Sequence, residues 1–530
     1  MKKLNFYLLT LFVSTALIVS CTDLEEIPID GVTAGGGGGG GSAPDFRTVL
    51  NEMNGIYVEW NRQGGLNEMA ADMWAGPTRG ADWDDNAALR QLHTHTWAPD
   101  HAFIGAAYNI YLTGIFNADL LLADASQSAD HAATKFLKSW FYYQMIDKYG
   151  KVPYRTDYTD LTLDAQVYTR QEAFPIGVAL AEEALAALPE TPGAAGTASV
   201  NTFTKDAARI LLAKYHLNRA VFTSEFGTTE FSHDASDMTA VINYVNDMSA
   251  TLESGATDGA AYWKNFDVDN DTSSEIIYAL PSIRGGGADD VADTRWYYFS
   301  GAHYNFTPGG WNGPSITAEA YAYFQENGVA EGEDPRATYT TPLLVENFNT
   351  SADLGVGVGI LRGLQYAPGG TTPLEDRNGN PLDLVPLTEL VMTSRATIET
   401  QGFRGRKYFP DAENMDSPAN NSVVYRYSDA MLMRAEAALR GGTGGDAQAD
   451  LDAIRARVGL GSIPASFDNV YSERARELWL EGFRREDMIR FGTFLSPKGL
   501  KPAESDPKYL LYSIPADALI NPNMSQNPGY

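Results

Sequence analysis

ERARELWLEGFRREDMIRFG, residues 473–492, places opposite charges at helical-neighbour spacing: Glu473 with Arg476, Glu481 with Arg485, Glu486 with Arg490. Side chains three or four residues apart share one helix face. Ser472–Phe491 is therefore predicted as one helix. The density of both signs points to a packed helix whose ion pairs hold its neighbours, because guanidinium and carboxylate tolerate burial only as bonded partners. Glu473, Glu477 and Glu481 are accordingly assigned to structure and not to acid–base catalysis.

Upstream of this stretch, Ser428–Arg440 and Ala447–Val458 also read as helices. The first starts at Ser428, a suitable N-cap, and stops at Gly441-Gly442. From Pro44 to about Ser249 the apolar spacing is helical throughout. Phe46, Val49, Leu50, Met53, Ile56 and Tyr57 form one stripe, and Tyr108, Tyr111, Leu112, Ile115, Leu120 and Leu121 another. A third stripe at Phe136–Met145 stops at Gly150 and Pro153, and further helices are predicted over Arg170–Leu188 and Lys205–Phe222. Helix pairs with alanine where backbones approach suggest degenerate tetratricopeptide-like packing. Between residues 251 and 421 Gly, Pro, Asn and Asp interrupt short apolar runs. Here Glu275–Leu280 reads as a strand, Asp376–Pro381 as a tight turn and Gly355–Gly359 as a loop. The fold class is mainly α: a helical scaffold, a loop-rich second half and minor short strands.

The N-terminus is a separate matter. Lys2 and Lys3 precede an apolar run from Leu4 to Val19, and Ile18-Val19-Ser20 lead into Cys21. A basic start, an apolar core and small residues before a cleavage point form a secretory signal. The cysteine makes it a lipoprotein signal, so residues 1–20 are expected to be removed and Cys21 to be lipidated. Cys21 is the chain's single cysteine, so no internal disulfide exists. Residues 21–43, acidic at Asp23, Glu25 and Glu26 and unbroken glycine from Gly35 to Gly41, read as a flexible tether. The body is expected to span 44–530, with a helical part at 44–250, a loop-rich ligand-facing part at 251–421 and C-terminal helices and tail at 422–530.

The formal net charge is −29 over 530 residues. That excess argues against nucleic acid and anionic membrane surfaces as partners. There is no HExxH, P-loop or GxSxG pattern, and Gly355-Val356-Gly357-Val358-Gly359 lacks the spacing of a dinucleotide fingerprint. Asp267, Asp269 and Asp271 alternate as in a calcium loop, but Thr272 stands where that loop needs glycine and Tyr278 where it needs glutamate. His93, His95 and His101, clustered with Asp100, are read as surface or packing histidines and not as a metal site. No metal, cofactor or catalytic residue is assigned.

Several motifs together resemble the SusD/RagB family. Tyr425–Ala437 (YRYSDAMLMRAEA) resembles its helix beginning RYSD, and Glu473–Gly492 resembles its charged helix ending RFG. Ile514-Pro515 and Asn521–Tyr530 (NPNMSQNPGY) resemble its C-terminus. Tyr149–Tyr154 and Lys205–Ala213 also fit, so the resemblance runs over most of the chain in order. It implies a surface-exposed outer-membrane lipoprotein that captures oligosaccharide as the lid of a SusC-like TonB-dependent transporter. A peptide-capturing RagB-like member is the alternative, and an all-α glycosidase, which would need two carboxyls facing each other across the bond, is the remote one.

Sugar rings offer C–H faces to flat aromatics and hydroxyls to polar side chains, and small-ligand sites combine an apolar body with a few polar groups. Two stretches supply both: Asp72, Trp74, Arg79 and Trp83 in one, and Trp296, Tyr297, Trp311 and Asn312 in the other. These eight residues are the expected ligand contacts. Trp97, Trp140 and Trp479 are expected in the core.

Overall fold

The computed structural model describes residues 44–57, 64–158, 160–190, 200–285, 294, 296–351 and 356–530. The leader, Cys21 and the glycine tether lie outside the described residues. The scaffold helices are α1 (Phe46–Tyr57), α2 (Ala102–Ala123), α3 (His131–Lys148), α4 (Arg170–Ala187), α5 (Lys205–Thr223) and α6 (Ala235–Asn246). Near the C-terminus come α7 (Tyr427–Leu439), α8 (Ala447–Arg457), α9 (Phe467–Glu477) and α10 (Arg484–Arg490). From α2 to α6, each helix packs against its neighbours in sequence, and α7 lies across α5 and α6.

The helix pairs close up where a side chain is missing. A Cβ at Gly114 of α2 would stand 2.4 Å from the Phe141 ring of α3, and one at Gly177 of α4 would stand 2.1 Å from the Tyr215 hydroxyl of α5. Helix α4 starts at a reciprocal cap: Thr169 accepts from the Glu172 amide, and Glu172 accepts from the Thr169 amide. Val49, Leu50, Met53, Ile56 and Tyr57 of α1 are buried, as their spacing predicts. Trp97, Trp140 and Trp479 lie in the core with them.

Three local expectations are corrected. Residues 472–491 do not form one helix: α9 ends at Glu477, Leu480 and Gly482 turn at φ of 57° and 86°, and α10 begins at Arg484. Ser428 is not the cap of α7 but lies in its first turn, buried against Arg426. Of the expected loop Gly355–Gly359, Val358 and Gly359 instead open a strand, Val358–Leu361, which pairs with Thr338–Tyr339 and Arg404–Arg406. Gly359 stands there at φ +114°, its α-carbon pressed so close to Ala337 O that a Cβ would reach within 2.2 Å of it. Only glycine takes such a position without strain.

The break after Glu477 redirects the charges. Glu473 still pairs with Arg476 at 2.7 Å. Glu481, no longer on a helix with Arg485, binds Arg426 (2.7 Å) and Lys407 (2.9 Å). Arg485 reaches Asp147 of α3 at 2.8 Å. Glu486 accepts from Tyr143 and Lys214, and Arg490 pairs with Glu436 of α7. Arg426 is the hub. It donates to Glu275 (2.8 Å), Glu477 (2.5 Å) and both carboxylate oxygens of Glu481, with no side-chain exposure. The helices are thus joined by a buried web of guanidinium and carboxylate. Within it the surrounding arginines hold the Glu477 carboxyl well below its usual range against the opposing effect of burial.

Candidate functional site

Short strand pairings gather three distant segments. Trp74–Ala75 pairs with Ser315–Ile316, and Thr78–Arg79 pairs in parallel with Val391–Met392. Ile316 also bridges Phe403. Residues 74–87, 296–316 and 385–406 therefore meet at one place.

Two buried arginines lock that junction. Arg79 donates to the carbonyls of Gly313 (3.1 Å), Ile398 (2.6 Å) and Gln401 (2.9 Å) and to Ser315 Oγ (2.8 Å). Arg404 donates to Ser315 Oγ, to Asn312 Oδ1 (2.8 Å) and to the Glu399 carbonyl (3.0 Å). Burial and the nearby Arg404 press the Arg79 pKa down. The guanidinium nevertheless stays charged, and the fan of carbonyl dipoles takes up that charge.

On this base stands an aromatic pair. The indole Nε1 of Trp83 donates to the Trp311 carbonyl at 3.0 Å, and the two rings lie 6.2 Å apart at 48°. Phe299 supports Trp311 edge-on at 5.1 Å. Trp83 lies flat against Gly313, where a Cβ would come within 2.2 Å of its ring. Trp311 is 48% exposed, the largest exposed aromatic of the described residues. Trp83, Asp85, Asn86 and Ala87 all hold positive φ, between 41° and 65°. Non-glycine backbone of that kind is costly and is kept only where the surroundings enforce it. Exposed Asp84, paired with Arg90 at 3.0 Å, borders the pair.

The same 296–313 segment carries a second ring that the sequence reading missed. Arg377 lies over the Tyr304 ring at 4.0 Å, and its side chain is 65% exposed. Behind it buried His303 contacts Glu399 at 3.1 Å, and burial lowers the imidazole pKa to about 4. A neutral His303 therefore sits beside a carboxylate that also accepts from the Arg377 amide. Tyr304 follows the Trp296–Phe299 aromatic run closely enough to have been named with it. Arg377 carries no such signal, because its contact spans more than 70 residues.

The eight expected residues separate. Trp83, Trp311 and Asn312 come together, Asn312 as the buried strut beneath the Trp311 turn at φ 53°. Arg79 supports them from inside. Asp72 is buried in a bidentate pair with Arg484 (2.8 and 2.9 Å) and accepts from Tyr323. Trp74 is buried in the core, and Tyr297 is buried against Tyr408 at 5.2 Å. Trp296 begins a short helix, and its side chain lies outside the described residues. His95 and His101 bond to the backbone carbonyls of Ala70 and Ala88, as packing histidines do.

Residues 389–505 match the family model described as the SusD family. The chain is 24% identical over 510 residues to the starch-binding protein SusD of Bacteroides thetaiotaomicron, covering 88% of this chain and 84% of that protein. Among solved structures, a laminarin-binding SusD-like protein superposes with a TM-score of 0.66 at 20% identity, covering 91% of this chain and 98% of the other. Surface glycan-binding protein A from Bacteroides thetaiotaomicron, solved with laminarihexaose, gives 0.61 at 17% identity over 91% and 97%. Surface glycan-binding protein A from Bacteroides fluxus gives 0.64 at 17% identity over 92% and 100%. At these identities the structural likeness establishes the fold, while the family-model match falls on the charged helices and the 389–406 side of the aromatic junction. Residues 389–505 therefore carry the SusD-family sequence pattern, within a chain whose fold is like that of SusD-like proteins.

Proposed function

We propose that the protein binds glycan at the cell surface, stacking sugar rings on the Trp83–Trp311 platform. The observation that carries this reading is the half-exposed Trp311 ring, held beside Trp83 on a base of buried arginines. A flat apolar face with Asp84 beside it suits a ring that has C–H faces and a hydroxyl rim. The relatives named for starch and laminarin support a glucan as the first candidate. Binding without hydrolysis fits the charged helices, because Glu473, Glu477 and Glu481 are buried and paired with arginine and do not reach a surface ligand. Affinity electrophoresis against starch, laminarin, other plant and microbial glycans and a peptide digest tests the reading. Retardation by at least one glycan, with no new reducing ends, is expected. Retention by peptide alone would favour peptide capture, and glycan-derived reducing ends would make the protein a hydrolase.

The finer reading is a lipid-anchored capture lid over a SusC-like TonB-dependent transporter in the outer membrane. The Cys21 sequence and the glycine tether support it, since one anchored end leaves the body free to swing. Tagged protein recovered from detergent-solubilised envelopes of cells fed a labelled fatty acid should carry the label and bring a large transporter with it. Cys21→Ala should lose the label. Label retained by that variant would end the lipoprotein reading, and recovery without a transporter would end the lid.

A further inference from the structure

A cleft of about 500 Å³, its open mouth included, shares no residue with the aromatic platform. One wall is a face of α2, where Tyr108, Leu112, Ile115, Phe116 and Asp119 follow one another at helical spacing. The opposite wall is the hairpin of Lys151–Tyr154 with Gln166–Thr169. There the Tyr154 ring is braced by Tyr168, stacked at 3.8 Å and 8°. The C-terminal tail closes one end, tied to the hairpin by Asn521, which donates to the Ala165 carbonyl at 2.9 Å.

The polar groups of this cleft are almost all engaged. Asp119 is paired with Lys138, and Arg155 donates to the Leu163 carbonyl at 2.6 Å. Tyr108 is the exception among the described residues. It is 1% exposed, burial alone raises its pKa, and no hydrogen bond offsets that burial. A hydroxyl of a cleft-lining residue that bonds no protein atom is left, as donor and acceptor, to water or to a bound molecule.

We propose that this cleft is a second binding site, for a small aromatic molecule bearing one hydroxyl, of the phenol class. The walls supply flat aromatic and aliphatic faces, and aromatic rings pack on these edge-on or offset. The single open hydroxyl of Tyr108 matches one hydroxyl on the ligand. A sugar would bring several hydroxyls to walls that satisfy one. A charged ligand finds Asp119 already neutralised by Lys138. The proposal stands apart from the glycan reading, because the two sites share no side chain.

The test uses the mature chain and 4-methylphenol, with toluene as the partner lacking the hydroxyl, read by ligand-observed saturation-transfer NMR. Saturable binding of 4-methylphenol is expected, with toluene about fivefold weaker, the loss of one hydrogen bond. Tyr108→Phe should bring 4-methylphenol down to the toluene level. Ala518→Phe, which fills the mouth from its partly exposed side, should abolish binding of both. Trp311→Ala should leave both unchanged, and circular dichroism checks that each variant is folded. No saturable binding to wild type, or equal preference for the two molecules in wild type and Tyr108→Phe, overturns the proposal. That comparison decides the matter even if Ala518→Phe fails to fold.

Discussion

Arg426→Met is expected to destabilise the protein by about 3–5 kcal/mol, the cost of stranding buried charge. Methionine keeps the length and apolar stem of the side chain but offers nothing to Glu275, Glu477 and Glu481. Arg457, Arg336 and Lys407 remain to compensate them in part. A surface arginine such as Arg219, whose side chain is 49% exposed beside Asp237, should cost less than about 1 kcal/mol on substitution. Urea unfolding of both variants measures the difference. The pH dependence gives a second sign. In the wild type the Glu275 and Glu477 carboxyls are held below their ordinary value of 4.5. They therefore contribute stability that is fully present above pH 4.5 and is lost as the pH falls below it through their folded-state values. In Arg426→Met these carboxylates lose part of that compensation, and protonation relieves them. The stability gap between variant and wild type should therefore narrow as the pH falls. A variant within about 1 kcal/mol of wild type at neutral pH would show that the web is not what joins the helices.

The mainly α class was legible because the helical stripes and the charge spacing do not depend on distant partners. Val49, Met53 and Ile56 are buried for reasons that fifteen residues of sequence contain. The break between α9 and α10 was not legible in this way. Leu480 takes a left-handed conformation because Glu481 is drawn to Arg426 and Lys407, more than 50 residues away. Residues 473–492 have good helical spacing on both sides of that turn, so the local pattern runs straight across it. The break also separates Arg485 from Glu481, whereas Arg490 shares α10 with Glu486 and pairs instead with Glu436 of α7, an acceptor 54 residues upstream.

The site divides along the same line. Trp83 and Trp311 could be named because an indole among glycines and aspartates is poorly placed for a core. Which of the four candidate tryptophans is buried depends on strand pairings such as Trp74 with Ile316, which no local pattern encodes. Asp72 and Arg79 look like ligand contacts in sequence because they are polar and flank tryptophan. In the structure Asp72 answers Arg484, and Arg79 answers carbonyls more than 230 residues downstream. Both were expected to bond a ligand, and in the structure the hydrogen bonds of both go to the protein itself.

Trp311→Ala should weaken glycan binding by about 1–3 kcal/mol, by analogy with the loss of one stacked base from an aromatic platform. That is roughly five- to 150-fold in Kd. The substitution removes a ring that is already half exposed and supported from one side by Phe299, so the fold should survive it. Trp311→Phe should recover part of the loss, since a smaller ring still offers a face. Calorimetric titration of Trp311→Ala with the glycan that retards the wild type, alongside its circular dichroism spectrum, tests the platform directly. The expected result is a folded protein with binding weakened at least fivefold. A folded Trp311→Ala that binds with wild-type affinity would contradict the account.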